Sequence, residues 1–140
     1  MALNRSFLSL VDANSNRAKE GLRVVEDIAR FVLRDKRSTL AAKQMRHNIT
    51  SAVRILSPKY TDLLHSRDSA SDKGRRLNPA SEFRKKGISG LLASNFKRVQ
   101  ESLRVLEEIA KISGPGISVA FKELRYESYV LEKKLLLKHG

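Results

Sequence analysis

Apolar residues recur along this chain at spacings of three and four, the period of an amphipathic helix, and nowhere alternate with period two. Val24, Val25, Ile28, Phe31 and Val32 share one helical face, and Val105, Leu106, Ile109 and Ile112 repeat it. Met45, Ile49, Ala52, Val53 and Leu56 form a second stripe, and Phe121, Leu124, Ser128, Leu131 and Leu135 a third. The pattern predicts four long helices and no strand. Asp12 or Asn14 is a candidate N-cap for the first helix, because a short polar side chain can take up a free amide of the first turn. Asp35 to Ser38 breaks the first helix from the second, and Ser113-Gly-Pro-Gly116 breaks the third from the fourth. Turns this short make antiparallel hairpins. The expected fold is therefore all-α, a four-helix-bundle-like domain made of two helical hairpins.

The two hairpins are copies of each other. NSNRAKEGLRVVEDIA (14–29) aligns with NFKRVQESLRVLEEIA (95–110) at an offset of 81, with nine of sixteen positions identical where chance gives about one. A weaker echo, KQMRH (43–47) against KELRY (122–126), follows at an offset of 79. The period is too long for a small-repeat solenoid and fits a pseudo-twofold duplication inside one domain, residues 1–140. Repeat 1 covers about 5–56 and repeat 2 about 91–138, joined by a segment over about 57–90. Within that segment SRDSASDKGRR (66–76) reads as a loop, and a short helix is expected after Asn78-Pro79, where proline suits a first turn. An irregular loop of ~15 residues in a compact domain is more often functional or disordered than neutral.

Composition narrows the chemistry. There is no cysteine, which removes disulfides, thiol nucleophiles and thiolate metal sites. His47, His65 and His139 have no metal-ligand spacing. No segment reads as a signal peptide or reaches the ~18–20 apolar residues that span a bilayer, so a cytoplasmic location and no membrane contact are expected. The net charge of +13 draws anions: nucleic acid, acidic surfaces or small phosphorylated ligands. The positive charge is interleaved with glutamate along helices rather than gathered in a tail. With no tryptophan and few aromatic residues, a base-stacking platform is poorly supplied, which weighs against nucleic acid. P-loop, dinucleotide-fingerprint and protein-kinase motifs are absent.

Several polar residues stand out. Asn14 and Arg17, and their copies Asn95 and Arg98, fall on the side of the apolar stripe. Two arginines at a pseudo-symmetric seam would suit a phosphate, which the guanidinium fork grips bidentately; the alternative is that they only line the rim of the core. Glu20, Arg23 and Glu26 lie off the stripe, as do Glu101, Arg104 and Glu107. They read as a solvated ladder of ion pairs, or as carboxylates that bind magnesium or orient the basic groups. Arg46 and Arg125, with Lys43 and Lys122 one turn earlier, sit at matching edges of their stripes, where they either snorkel or reach the same anion. Arg67, Asp68, Asp72, Lys73 and Gly74 occur once, in a loop that mixes carboxylates, cations and serines. That mixture suits magnesium and phosphate, or else a plain solvated linker.

DANSNRAKEGLRVVEDIARFVL, RDSASDKG, NFKRVQESLRVLEEIAK and FKELRYESYVLEKKL together resemble a family of short helical domains found alone or fused to the N-terminus of thiamine phosphate synthase. The resemblance covers about residues 6–136; Lys73 stands where the family pattern has an apolar residue. It implies ATP-dependent phosphorylation of hydroxymethylpyrimidine monophosphate to the diphosphate, with ATP and Mg2+ as cofactors. On that reading Arg17, Arg46, Arg98 and Arg125 hold phosphates, Asn14 and Asn95 read polar groups, and Arg67, Asp68 and Asp72 close over the site. One of the two aspartates would bind magnesium or accept a proton, and Arg98→Ala is expected to weaken binding or turnover strongly. A thiamine phosphate synthase label could reach this chain only through fused relatives, because a (β/α)8 barrel needs ~200 residues or more and none fits beside the repeat. A non-catalytic regulatory module that docks on that synthase, and a basic nucleic-acid binder, remain as alternatives. The mixed end LEKKLLLKHG leaves room for a homodimer.

Overall fold

A computed structural model describes residues 3–76 and 87–139. Five helices account for most of them: α1 (Arg5–Asp27), α2 (Lys36–Leu56), α3 (Tyr60–Ser66), α4 (Gly87–Ser113) and α5 (Pro115–His139). No strand occurs among the described residues. The all-α architecture expected from the periodicity is the one observed. The helix expected after Asn78-Pro79 lies outside the described residues.

α1 begins earlier than its repeat suggests. The Asn4 side chain accepts the Phe7 amide at 3.0 Å and caps the helix, so Asp12 and Asn14 are buried inside it and cap nothing. At the far end, Ile28–Val32 continue α1 as a π-helical turn, with the Leu33 and Asp35 amides bonded to the Ile28 and Ala29 carbonyls. Arg34 then takes a left-handed φ of 56°. The fall in offset from 81 to 79 means that this turn holds two residues more than its copy: three residues, 33–35, join the π turn to α2, where Gly114 alone joins α4 to α5. Asp35 caps α2 by accepting the Ser38 amide at 3.0 Å. The second hairpin turns at Gly114, with φ 155° and no capping side chain.

The four long helices form a ring. α1 packs on α2 and α4, and α5 packs on α4 and α2. Lys138 and His139, at the end of α5, reach Asp35 at the start of α2. Since each hairpin is antiparallel, α4 starts at the end of the bundle where α1 stops, so α1 and α4 run antiparallel across the pseudo-twofold. Their closest approach is at Gly21, where a Cβ would lie 2.8 Å from Val99 Cγ2 and 3.0 Å from the Asn95 carbonyl.

One core fills the ring, with Leu22, Val25, Ile49, Phe96, Leu103, Leu106, Phe121 and Leu135 almost fully buried. The stripes foreseen on α2 and α5 are buried residue for residue. On α1 and α4 the foreseen stripe is displaced: Val24, Phe31, Val32, Val105 and Ile112 are exposed, and Leu22 and Leu103 take their places. α3 lies across the first half of α1, with Leu63 buried and the Ser9 hydroxyl donating to the Ser66 carbonyl at 2.7 Å.

Candidate functional site

The repeated polar residues build the frame. Glu26 is not on a solvated ladder; its side chain is buried and reaches from α1 to α2, where Arg46 Nε donates to Oε1 at 3.0 Å. Arg23 donates to its other oxygen at 3.3 Å. Glu107 repeats this arrangement, accepting Arg125 Nε and Nη2 at 3.2 and 3.1 Å and Arg104 at 3.3 Å. Each hairpin is thus clamped by one buried carboxylate between two arginines. A buried carboxylate is tolerated only with such partners. Arg46 and Arg125, expected at the anion, are committed to these glutamates, as are Arg23 and Arg104.

The Asn-x-x-Arg copies do not converge on one anion. Asn14 and Asn95 each donate their side-chain amide back to the carbonyl four residues earlier, Leu10 and Leu91. Asn95 lies against Gly21, about 10 Å along α1 from Asn14 at 1.5 Å per residue. Arg98 approaches Glu20 at 4.0 Å, an exposed pair on the outer seam. Glu101 is exposed as well. Arg17 is exposed and has no ion-pair or hydrogen-bond partner among the described residues.

The first half of α1 is where the predicted residues meet. A cleft of about 450 Å³ lies between it and the turn after α3, lined by Ser9, Asn14, Asn16, Arg17, Arg67, Asp68 and Asp72 among others. Five of the predicted site residues line it: Asn14, Arg17, Arg67, Asp68 and Asp72. Its wall is an ion pair that the sequence did not reveal. Arg67 Nε and Nη2 donate to the two oxygens of buried Asp12, both at 2.8 Å, in the fork geometry that makes such pairs strong. That pair anchors the 67–72 turn to α1. Asp68 accepts the amide and hydroxyl of Ser71, and these bonds hold its carboxyl below the usual range, so it is ionised at neutral pH. Asp72 accepts the Gly74 amide at 2.9 Å through one oxygen, and its other oxygen has no donor among the described residues.

On the other side of Asp12 lies a second cleft, of about 290 Å³, between α1 and α2. Asn16, Lys19, Thr50, Val53 and Arg54 line it, and Pro58, Tyr60 and Leu63 close one end. Lys19 is half-buried and its pKa is lowered, chiefly by desolvation, with Asp12 opposing and Arg46 and Arg54 adding to the shift. This cleft has a copy. Asp12, Asn16 and Lys19 correspond to Ala93, Lys97 and Gln100, and Thr50 and Val53 to Tyr129 and Glu132. All five of those counterparts line an open groove of about 780 Å³ between α4 and α5. The duplication therefore made two grooves, and among the described residues only the first has an aspartate, Asp12, and a helix across its end. The signal that could have found Asp12 and Lys19 is their departure from the repeat.

Among the described residues no three His, Cys, Asp or Glu side chains are grouped to hold a metal by themselves. A magnesium ion bound with a phosphorylated ligand needs only one or two carboxylates, the remaining positions going to phosphate and water. Asp68 and Asp72, ionised or with a free oxygen on the same cleft, fit that requirement.

No helix among the described residues is long and apolar enough to cross a membrane. A model of the ThiD2 family matches residues 9–134. The chain is 41% identical over 128 residues to a thiamine-phosphate synthase of Synechocystis sp., and 38% identical over 128 residues to one of Nostoc punctiforme. It is 36% identical over 137 residues to one of Rhodopirellula baltica. These matches cover 91%, 91% and 98% of this chain but 35%, 34% and 36% of the relatives. The chain thus spans about a third of the length of the curated relatives it matches. No solved structure matches it.

Proposed function

The chain belongs to the ThiD2 family, and from that premise we propose that it is a small-molecule kinase of thiamine biosynthesis that converts hydroxymethylpyrimidine monophosphate to the diphosphate at the expense of ATP. The observation that carries this reading is the cleft beside the first half of α1. There Arg17, without an ion-pair partner among the described residues, lines the same cleft as two carboxylates, Asp68 and Asp72, on a turn that Asp12 and Arg67 hold in place. The relatives' name, thiamine-phosphate synthase, supports the pathway.

The chemistry asks little of a general base. The acceptor is a phosphate oxygen, and a phosphate monoester with a second pKa near 6 is largely dianionic at neutral pH. Neither Asp68 nor Asp72 needs to take a proton, so their proposed use is to hold magnesium. When bound, magnesium neutralises charge on the phosphates being joined. The chain's own task is positioning and charge compensation. Arg17 would grip the acceptor phosphate, and the Asp12–Arg67 pair would fix the turn so that Asp68 and Asp72 face it. Asn14, buried with its amide nitrogen already used, offers its side-chain oxygen to a donor on the ligand. Lys19, Thr50 and Tyr60 line the adjoining cleft, which would hold the pyrimidine ring.

The test is direct. Purified chain with magnesium-ATP and the pyrimidine monophosphate should yield the diphosphate and ADP in equal amounts, with the unphosphorylated pyrimidine as a parallel substrate. Binding of the monophosphate without diphosphate formation would replace the kinase by a non-catalytic ligand-binding module. Neither binding nor turnover would remove both readings.

A further inference from the structure

The core side of α5 is explained by the bundle: Phe121, Leu124, Ser128, Leu131 and Leu135 are buried. The opposite side is not. Val119, Tyr126, Val130 and Leu137 are 49%, 54%, 70% and 77% exposed. Their spacings of seven, four and seven put all four on one line, directly opposite buried Ser128. The bundle does not require this line. The equivalent positions of the first hairpin are Leu40, His47 and Ser51 on α2 and Pro58 just past its end. The duplication therefore does not account for the stripe; it is particular to α5.

The stripe is also a palindrome about Ser128. Val119 and Leu137 stand nine residues either side, and Tyr126 and Val130 two residues either side. Glu123 and Lys133, five residues either side, complete the line; both are exposed, and neither has an ion-pair partner among the described residues. A helix laid antiparallel on α5 at this register would therefore present exactly the complement of what it meets if it were α5 itself.

We infer that this chain forms a twofold dimer through α5. Two copies of α5 pack antiparallel as a short coiled coil, with successive layers Val119–Leu137, Glu123–Lys133 and Tyr126–Val130, each occurring twice about the dyad. Antiparallel coiled coils pair a with d positions, and these layers all have that form. A homodimer interface must be self-complementary, and the palindrome supplies this in both shape and charge. The flanks contribute unequally. Tyr129 meets its copy on one side, while Glu127 meets its copy on the other and opposes association. The active-site cleft lies on α1 and α3, away from this surface, so the dimer does not depend on the kinase reading.

Sedimentation equilibrium of the full chain tests it. The expected mass is twice the 15.8 kDa of one chain. Val130→Lys, at the most exposed pair of central layers, should raise the dissociation constant at least tenfold while circular dichroism stays unchanged. Glu123→Lys sets lysine against Lys133 in two layers and should do the same. Adding Lys133→Glu to Glu123→Lys should restore the dimer, which a merely nearby surface would not do. Glu127→Gln should tighten it. A monomer at all accessible concentrations would overturn the proposal. So would a dimer indifferent to Val130→Lys, and loss at Glu123→Lys without rescue by Lys133→Glu would overturn the register.

Discussion

The two hairpins of this chain share a frame and differ at their edges. Both are held by a buried glutamate between two arginines, Glu26 with Arg23 and Arg46, and Glu107 with Arg104 and Arg125. Both leave a groove along the outer face between their helices. Only the first hairpin has Asp12 in that groove, α3 across its end and the Arg67–Asp72 turn beside it. Its copy has Ala93 instead and stays open. Of the residues that survived in both copies, the two glutamates and their arginines hold the bundle together. Residues that occur once, Asp12, Arg67, Asp68 and Asp72, complete a cleft around Asn14 and Arg17.

The largest effect should come from the shared part. Arg46→Met or Arg125→Met leaves a buried carboxylate with one partially exposed arginine, and each should cost about 3 kcal/mol of stability. Chemical denaturation of the two variants should give losses within ~1 kcal/mol of each other, because the clamps are copies. A large difference would mean that one of them has a second role. Arg67→Ala should reach the cleft as well as the fold. It leaves the buried Asp12 carboxylate without its bidentate partner and should cost about 2 kcal/mol of stability, while turnover falls about 100-fold because the turn that holds Asp68 and Asp72 loses its anchor. Steady-state kinetics beside a melting curve separates these effects.

Much of the fold is legible in the sequence, and the reasons for the exceptions are physical. The stripes of α2 and α5 could be read because each of these helices presents a narrow apolar face. α1 and α4 pack closely on each other as well as on their hairpin partners, whereas α2 and α5 meet each other only lightly, so the buried arc of α1 and α4 is the wider one and a single narrow stripe is centred wrongly on it. That is why Val24 and Phe31 are outside, and why Glu26 and Glu107, which appear to leave the stripe, are inside at its edge. α3 is a short helix held chiefly by its docking on α1, and seven residues carry too little periodicity to show it. For the site, five loop and helix residues were visible as a polar set. The repeat, however, drew attention to Asn95 and Arg98, where symmetry preserves the residue but not the cleft. Asp12 could not be recognised until its partner, 55 residues away, was seen beside it.

Two smaller differences sharpen the comparison. At the crossing of α1 and α4, Gly21→Ala should cost about 2 kcal/mol, since its methyl group meets Val99 and the Asn95 backbone. Its copy already carries a side chain: Ser102 is buried and donates to the Arg98 carbonyl, so Ser102→Ala should cost ~1 kcal/mol or less. At the hairpin turns, Asp35→Ala should cost about 1 kcal/mol as a lost cap, whereas Gly114 offers no side chain to lose. The Ser38 amide, then His139 and Lys138, hold the Asp35 carboxyl well below the ordinary carboxylate range. Because the folded value is the lower one, this stabilisation is complete above the unfolded carboxyl's pKa near 4 and is lost as the pH falls below it toward the folded value. Wild type and Asp35→Ala should therefore differ most at neutral pH and converge in acid, measured by denaturant midpoints across that range.

The central claim is that residues repeated in both hairpins do not act alike where only one copy borders the cleft. Arg17 and Arg98 are the matched pair that tests it, the same residue at the same place in the repeat. Titration calorimetry of hydroxymethylpyrimidine monophosphate into Arg17→Ala and Arg98→Ala should show a Kd raised at least tenfold in the first, as expected for a lost charged hydrogen bond to phosphate. In the second it should stay within threefold of wild type. Equal losses in both variants, or a loss in Arg98→Ala alone, would contradict the account.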